Sequence, residues 1–558
     1  MTAVDEIHGD TDWEVPGPGS WHQARAHFPA SITPTLQAMY PAGFDRGFAE
    51  TFADWGVLLD GIAAVYVNGF EYSQAVPFDA PGPDGSRTPE YIASEIERRA
   101  GLAAAAFRNR IWRDTMRRWD TELKPASIAA HRALADVDLV ELDTEGLRAH
   151  LHRCVEHVGA MWYQHHRFNG AAVIPVGDLV LHAAQWTGRP AATLLVVFDG
   201  WSPVSSVLPP EMAPAIDALR ANLRARALLT GKAPAARRLA ELSKRVPAVA
   251  AYTKAIGYRL AAGFDVTNPT IGERPEIVLG RLQAALAHDP ELSRSRSDAL
   301  AAELRVEVPE QHRAEFDYLL TEARSVYRLR DERGLYSDSS AVGLMRLGLI
   351  ELGRRLHADG RINFPYDTLD IWPAEIDGLL DGDPTPTAEE LTVRVAARKA
   401  LTAKGAPALL GPIPPPPPSL DELPPALARV MAAFGFVVNG VTSEADGPAG
   451  DATTVIGIAG SAGVFEGPAR VVRNFDDLWG LEDGEVLVTP ATGESFNSFL
   501  HFVGAIVTDH GSFASHAAIM GREMGFPTVV GCVDATRRIV TGTRVRVDGA
   551  AGTVTMCH

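Results

Sequence analysis

One histidine in this sequence stands where phosphoryl chemistry is favoured. The stretch Ile506 to Cys532 reads IVTDHGSFASHAAIMGREMGFPTVVGC. Its apolar, β-branched start predicts a strand ending at Val507 or Thr508, then a glycine-containing loop, then a helix from about Ser515. Ser515 has the side chain of an N-cap, which puts His516 in the first helical turn. Backbone N–H groups and the helix dipole favour an anion there and disfavour an imidazolium. A neutral imidazole in that place is a nucleophile whose phosphorylated form gains charge-assisted hydrogen bonds. Ala517 and Ala518 beside it leave the ring open to another domain. A structural histidine at a helix start is the competing reading, and spacing alone does not separate the two.

The elements that must hold this loop are β-rich runs bounded by Gly and Pro: Val464 to Val472, Gly484 to Pro490, Gly504 to Asp509, Pro527 to Cys532 and Thr543 to Met556. The last reads as a hairpin turning at Asp548–Gly549, and helical patterns fall at Ser495 to Phe502 and Ser515 to Met524. Together they predict a small α/β domain over 454–558. GIAGSAG (Gly457 to Gly463) lacks the lysine of a phosphate loop and reads as a hinge. Ahead of this domain lies a 405–453 connector: a proline-rich stretch to Pro425, one short helix over Leu427 to Phe436, and a flexible hinge at Gly440 to Thr453. The five prolines Pro414 to Pro418 impose an extended chain, either a surface spacer or a ligand for a partner. Residues 1–404 are predicted to be a mainly α-helical domain, less regular around Ala63 to Phe78, with helical spacing at Thr144 to His166, Ala213 to Leu228, Pro275 to Leu286 and Leu344 to Leu356. In the last of these Arg346 turns away from the apolar face.

Composition narrows the function classes. The chain has 558 residues, 46% hydrophobic and 22% charged, which suits a multidomain globular protein. Its net charge of −18 argues against nucleic acid or an anionic membrane as partner. Three cysteines (Cys154, Cys532, Cys557) are too scattered for a disulfide framework or a metal site. Met1 to Asp10 has no apolar run of a secretory signal, and nothing reads as a membrane span, so a cytoplasmic setting is expected.

A second cluster able to do chemistry is MWYQHHRF, Met161 to Phe168. On a helix Met161 and His165 lie one turn apart, as do Trp162 and His166. A histidine beside an aromatic wall is able to take a phenolic proton, and it also serves as ordinary cover for an apolar helix. Adjacent histidines face different sides of a helix, so the pair does not read as a metal site. Trp201, in DGWSPVSS, is a further candidate pocket wall, with loop serines as hydrogen-bonders.

SHAAIMGREMGFPTVVG resembles the phosphohistidine signature of the swivelling domain of phosphoenolpyruvate synthases and pyruvate phosphate dikinases. The resemblance implies that His516 carries a phosphoryl group between two sites, supported by Ser515, Gly511, Ser512 and Arg522. In place of the usual Gly-Gly before the motif this chain has Gly511–Ser512. YVNGFEY (Tyr66 to Tyr72), GYR (Gly257 to Arg259), NPTIGERPEIVL (Asn268 to Leu279) and Tyr327 to Leu356 are similar, in order, to the antibiotic-binding domain of rifamycin phosphotransferases. Arg330 matches the region of that family's cationic pair, with Arg333 or Gly334 at the second position. The resemblance makes Arg330 a clamp on the phosphoryl group, against the alternative of a solvated arginine at a helix end.

No ATP-grasp domain is evident in the chain. The split arrangement resembles phenylphosphate synthase and the alkylphenol-phosphorylating systems, where ATP-grasp and phosphohistidine subunits are separate proteins. That resemblance implies a partner ATP-grasp subunit carrying ATP and Mg, no tightly bound cofactor or metal on this chain, and a small phenolic acceptor. Phosphorylation of an antibiotic or other natural product by the same relay, and a non-enzymatic phosphocarrier, are the alternatives.

Overall fold

The computed structural model describes residues 13–24, 28, 30–79, 87–204, 208–287, 291–401, 405–414, 416, 418–442, 453–493, 496–513 and 515–557. The chain forms two compact units, Met1–Gly170 with Tyr258–Pro269 and Arg333–Met431, and Ala171–Gly257 with Thr270–Glu332 and Ala432–His558. The single helical domain expected over 1–404 is therefore divided, and its segments 171–257 and 270–332 pack with the C-terminal α/β domain. Helical periodicity reports which face of a helix is apolar but not which neighbour covers it.

The described strands are β1 (Trp21–Gln23), β2 (Leu59–Val67), β3 (Phe70–Pro77), β4 (Leu409–Leu410), β5 (Thr454–Ile456), β6 (Ile458–Ser461), β7 (Val464–Val471), β8 (Glu485–Thr489), β9 (Val503–Thr508), β10 (Thr528–Val530), β11 (Arg544–Asp548) and β12 (Thr553–Met556).

In the first unit β2–β3–β1–β4 form an antiparallel sheet, and most of β2, with the turn and all of β3, falls in the part expected to be less regular, Ala63 to Phe78. Gly61, Ala63 and Ala64 blunt the apolar alternation of β2, whereas Asn68 (φ 50°) and Gly69 (φ 76°) supply the left-handed turn a tight hairpin needs. β4 lies inside the expected spacer: Trp21 pairs with Leu410 and His22 with Leu409, and Tyr72 Oη donates to the Pro407 carbonyl at 2.8 Å. Pro414, Pro416 and Pro418 are exposed, while Pro415 and Pro417 lie outside the described residues.

The helices Pro41–Trp55, Thr144–Arg167 and Asp338–Ala358 carry most of this unit's core, with Leu147, Leu151, Val158, Met345, Leu349 and Leu352 at 0% exposure. Asp143 caps the second helix, accepting from Gly146 N at 2.7 Å. Asp338–Ala358 is enclosed on most sides, so Arg346, expected to face solvent, is buried and donates to the Val266 carbonyl at 2.8 Å.

In the second unit the expected β-runs appear as β7 to β12. The eight-stranded sheet has the order β5-β12-β11-β7-β8-β9-β10-β6. β7, β8, β9 and β10 are parallel and the flanking pairs antiparallel. Val486, Val488, Val507, Val529, Val545 and Val554 fill its core at 0% exposure. The Gly457–Gly463 stretch is not a hinge: it supplies β6, antiparallel to β10, and a side chain on Gly457 would meet the Val530 carbonyl at 2.6 Å. Phe496–Phe502 is a run of turns rather than the expected helix, Phe499 N bonding the Phe496 carbonyl and Phe502 N the Phe499 carbonyl. Ala213 to Leu228 breaks into helices Ala213–Arg220 and Leu223–Arg226. The short connector helix is longer than expected, Pro425–Thr442, and residues 443–452 of the expected hinge lie outside the described residues.

Candidate functional site

His516 opens the helix His516–Met524, after Ser515 in an extended N-cap conformation (φ −67°, ψ 157°). The helix follows β9, so His516 lies outside the carboxyl ends of parallel strands, where open α/β sheets place their sites. The loop after neighbouring β8 reaches it: Thr492 Oγ1 is 2.9 Å from His516 Nδ1, and Asn497 Oδ1 is 2.9 Å from Nε2. An amide oxygen only accepts, so Nε2 carries the proton in this arrangement, and Thr492 donates to Nδ1. The ring is held at both nitrogens with 7% of the residue exposed.

The supporting residues act through the loop. Gly511 has φ 108°, and a side chain there would meet Ser515 Cβ at 2.9 Å, so both backbone and space require glycine. Ser512 is buried, and its carbonyl accepts from Ser515 N at 2.9 Å. Ser515 Oγ, on the residue before His516, is buried without a hydrogen-bond partner. Arg522, six residues after His516, is buried, and its Nη1 donates to the Gly460 carbonyl at 3.0 Å and the Phe513 carbonyl at 3.1 Å. It thereby ties β6 to the His516 loop rather than facing solvent.

The same unit sets the Asp199–Ser202 segment against this helix. Arg522 Nε is 3.6 Å from Asp199 Oδ1, and both Glu523 carboxylate oxygens accept from Gly200 N at 2.8 and 2.9 Å. Burial pushes Asp199 up to about 6, against the pull of Arg522. Burial, followed by the Asp199 charge, pushes Glu523 up to about 8. Two guanidinium groups lie against the Trp201 ring, Arg294 at 3.4 Å and Arg324 at 4.5 Å from its centroid. Of the loop serines expected beside it, Ser202 is bonded to Asp331, and Ser205 and Ser206 lie outside the described residues. Arg330 is half-buried in the Leu329–Leu335 helix. With Arg522, Glu523 and Asp331 it acts electrostatically on the buried Tyr327 phenol, whose pKa burial raises. Arg330, Trp201 and the His516 loop thus belong to one compact unit.

Trp162, His165, His166 and Arg333 belong to the first unit. Trp162 and His166 stack at 5.9 Å with an interplanar angle of 11°. His165 Nδ1 is 2.6 Å from Asp338 Oδ1. Arg333 is buried, donating to the His165 carbonyl at 3.0 Å and to Asn169 Oδ1. Its guanidinium therefore braces the end of the Thr144–Arg167 helix. Among the described residues no group of three or more His, Cys, Asp or Glu side chains is placed to hold a metal ion, and no helix is long and apolar enough to cross a membrane.

Thr492, Asn497 and Asp338 were not singled out from the sequence. For the first two the usable signal is topological: loops after adjacent parallel strands meet, and Thr492 follows β8 as His516 follows β9. For Asp338, 173 residues from His165, no local signal exists.

Comparison with known proteins matches both parts of the second unit. Residues 481–552 match the PEP-utilising enzyme mobile domain, and residues 171–331 the rifampicin phosphotransferase fourth domain. The chain is 39% identical over 124 residues to rifampicin phosphotransferase of Bacillus subtilis, covering 22% of this chain and 14% of that protein. It is 28% identical over 244 residues to the uncharacterized phosphotransferase YvkC of the same organism, covering 44% and 27%. It is 33% identical over 308 residues to chondramide synthase cmdD of Chondromyces crocatus, covering 52% and 8%. The matched stretches span between 8% and 27% of these relatives' lengths. The chain is similar to rifampicin phosphotransferases and carries a PEP-utilising mobile domain.

Proposed function

We propose that this protein is a phosphotransferase component in which His516 accepts a phosphoryl group and passes it to the hydroxyl of a small organic compound. The observation that carries this reading is the placement of His516: first residue of its helix, both ring nitrogens engaged, beside the unpartnered Ser515 hydroxyl, inside a matched mobile domain. A phosphoryl oxygen at this helix start meets backbone N–H groups and the Ser515 hydroxyl. In transfer, the acceptor oxygen attacks phosphorus, the P–N bond to His516 breaks, the electron pair returns to the ring, and the hydroxyl proton passes to a base. Arg330 is the proposed clamp on the transferring oxygens, because phosphoryl transfer is catalysed chiefly by positioning and charge.

The donor is ATP on a partner ATP-grasp subunit, with Mg bound there, and the acceptor is a phenolic compound. A second reading of the acceptor, an antibiotic-type natural product, is supported by the match of residues 171–331 to the rifampicin phosphotransferase fourth domain. The test is acid-labile label on this protein from β-labelled ATP, and separately from labelled phosphoenolpyruvate, in native-host lysate, for wild type and His516→Ala. Label from ATP that vanishes in the variant is expected, and p-cresol or rifampicin should discharge it. Label only from phosphoenolpyruvate changes the donor. Label that no hydroxyl compound discharges leaves a phosphocarrier, and no label from either donor overturns the relay.

A further inference from the structure

We propose that the first unit contains a binding site for a small aromatic hydroxyl compound, built around Tyr40 and read by Trp162 and the His165–Asp338 pair. The aromatic wall is assembled from three separate segments. Tyr40 precedes the Pro41–Trp55 helix and lies 5.1 Å from Phe44, 6.2 Å from Tyr66 of β2 and 4.6 Å from Trp162 of the Thr144–Arg167 helix, centroid to centroid. The Trp162 contact is edge-on at 81°, so the indole presents its edge to the Tyr40 face or the reverse.

Polar atoms without partners are concentrated at this wall. Trp162 Nε1, Tyr66 Oη, Glu71 Oε2 and Asp338 Oδ2 are all buried and unbonded. Native interiors leave few such atoms, and each calls for a reason. Tyr66 and Trp162 pack on the Tyr40 ring, Glu71 hydrogen-bonds its hydroxyl, and Asp338 acts on it electrostatically. Two are donors and two are carboxyl oxygens. A hydroxyl group, which donates once and accepts, complements such a mixture; a carboxylate or phosphate, which only accepts, does not. The ring walls select an aromatic body over a sugar, which would need far more polar partners.

The His165–Asp338 pair gives the site its chemical polarity. A carboxylate accepts from Nδ1, so the proton sits there and Nε2 keeps its lone pair. The His165 ring is 5.9 Å from that of Trp162. A Cβ at position 334 would stand 3.6 Å from His165 Cε1, so glycine there leaves that edge of the imidazole uncovered by a side chain. In this site a phenolic hydroxyl would accept from the unpartnered Trp162 Nε1–H and donate to His165 Nε2. Asp338 is thus a positioning residue that fixes the tautomer. That the bound hydroxyl is then phosphorylated rests on the relay proposed above; within the first unit, His165 Nε2 is the group that takes the hydroxyl proton.

The test uses the full chain and p-cresol, with toluene as the hydroxyl-free control, by isothermal titration. Saturable binding of p-cresol, with toluene about tenfold weaker or more, is expected from a hydrogen-bonded hydroxyl. Trp162→Phe, which keeps the wall and removes the N–H, should weaken p-cresol by about three- to tenfold and leave toluene unchanged. Asp338→Asn should weaken p-cresol about as much as Trp162→Phe does, and beyond that slow discharge of phosphorylated His516 by p-cresol ~10²-fold or more and shift its pH profile, with partial rescue by Asp338→Glu. Equal binding of the two compounds by wild type, or none, overturns the site even if Trp162→Phe fails to fold. Unlabelled His516 with selective p-cresol binding would instead sink the relay and keep the site.

Discussion

His516 and His165 are both histidines with assigned hydrogen-bond partners, and they are assembled in opposite ways. The partners of His516, Thr492 and Asn497, are 24 and 19 residues away, on a loop beside its own in the same parallel sheet. His165 takes Asp338 from 173 residues away, and the Trp162 ring beside it packs on Tyr40, from yet another segment. The first arrangement is carried by one strand–loop–helix unit, whose geometry follows from a short stretch of sequence. The second exists only when several distant segments pack. Local sites tolerate variation elsewhere in the chain, whereas long-range ones report on the integrity of the whole unit.

The sharpest way to break this comparison is His516→Ala. Acid-labile label should disappear completely while p-cresol titration of the first unit stays within about twofold, since nothing in the Tyr40 cluster includes residue 516. Loss of both would mean that the two regions are not the separate arrangements described. Next in size is the central strand β8: Leu487 has 0% exposure, and Leu487→Ala should lower stability by ~2–5 kcal/mol, read as a fall in the urea midpoint. Gly511→Ala probes the loop alone. With φ at 108° and Ser515 Cβ 2.9 Å from the added carbon, it should lose about 1–3 kcal/mol and slow labelling of His516 without touching p-cresol binding.

The smallest expected effect is on pH dependence, and it compares the units directly. Each holds one buried glutamate pushed up to about 8 by burial, Glu71 in the first and Glu523 in the second. A carboxyl whose folded pKa is raised binds its proton more tightly when folded. Its contribution is fully present below the unfolded value near 4.5 and is lost as pH rises through about 8. Stability should therefore fall between those limits, by at most ~1.4 kcal/mol per pH unit per group. Glu71→Gln and Glu523→Gln should each flatten that slope, seen as thermal midpoints measured from pH 5 to 9. An unchanged slope in either variant would show that its carboxyl ionises normally in the fold.

The second unit was largely legible in advance because its elements are short, β-branched and punctuated. β7 to β12 fall inside the expected runs to within a residue or two at each end, and the helix from His516 begins where its cap residue indicates. The errors there are instructive. Gly457–Gly463 looked like a hinge because glycine suits mobile chain, yet glycine also admits close backbone approach, which is what β6 beside β10 requires. In the first unit, β2 was missed because small residues interrupt its alternation, and Arg346 was placed on a solvent face that an enclosed helix does not have.

By itself the amino-acid order determined the strand–loop–helix setting of His516, the N-cap before it and the glycine its loop needs at 511. These are consequences of backbone propensity and of hydrogen bonds spanning a few residues. Only the tertiary structure decided that Asp199 and Gly200 meet Arg522 and Glu523, that Arg333 braces Asn169, and that Asp338 orients His165. Those pairings depend on which faces of distant helices are buried together, and no periodicity in a single chain encodes the identity of a packing partner.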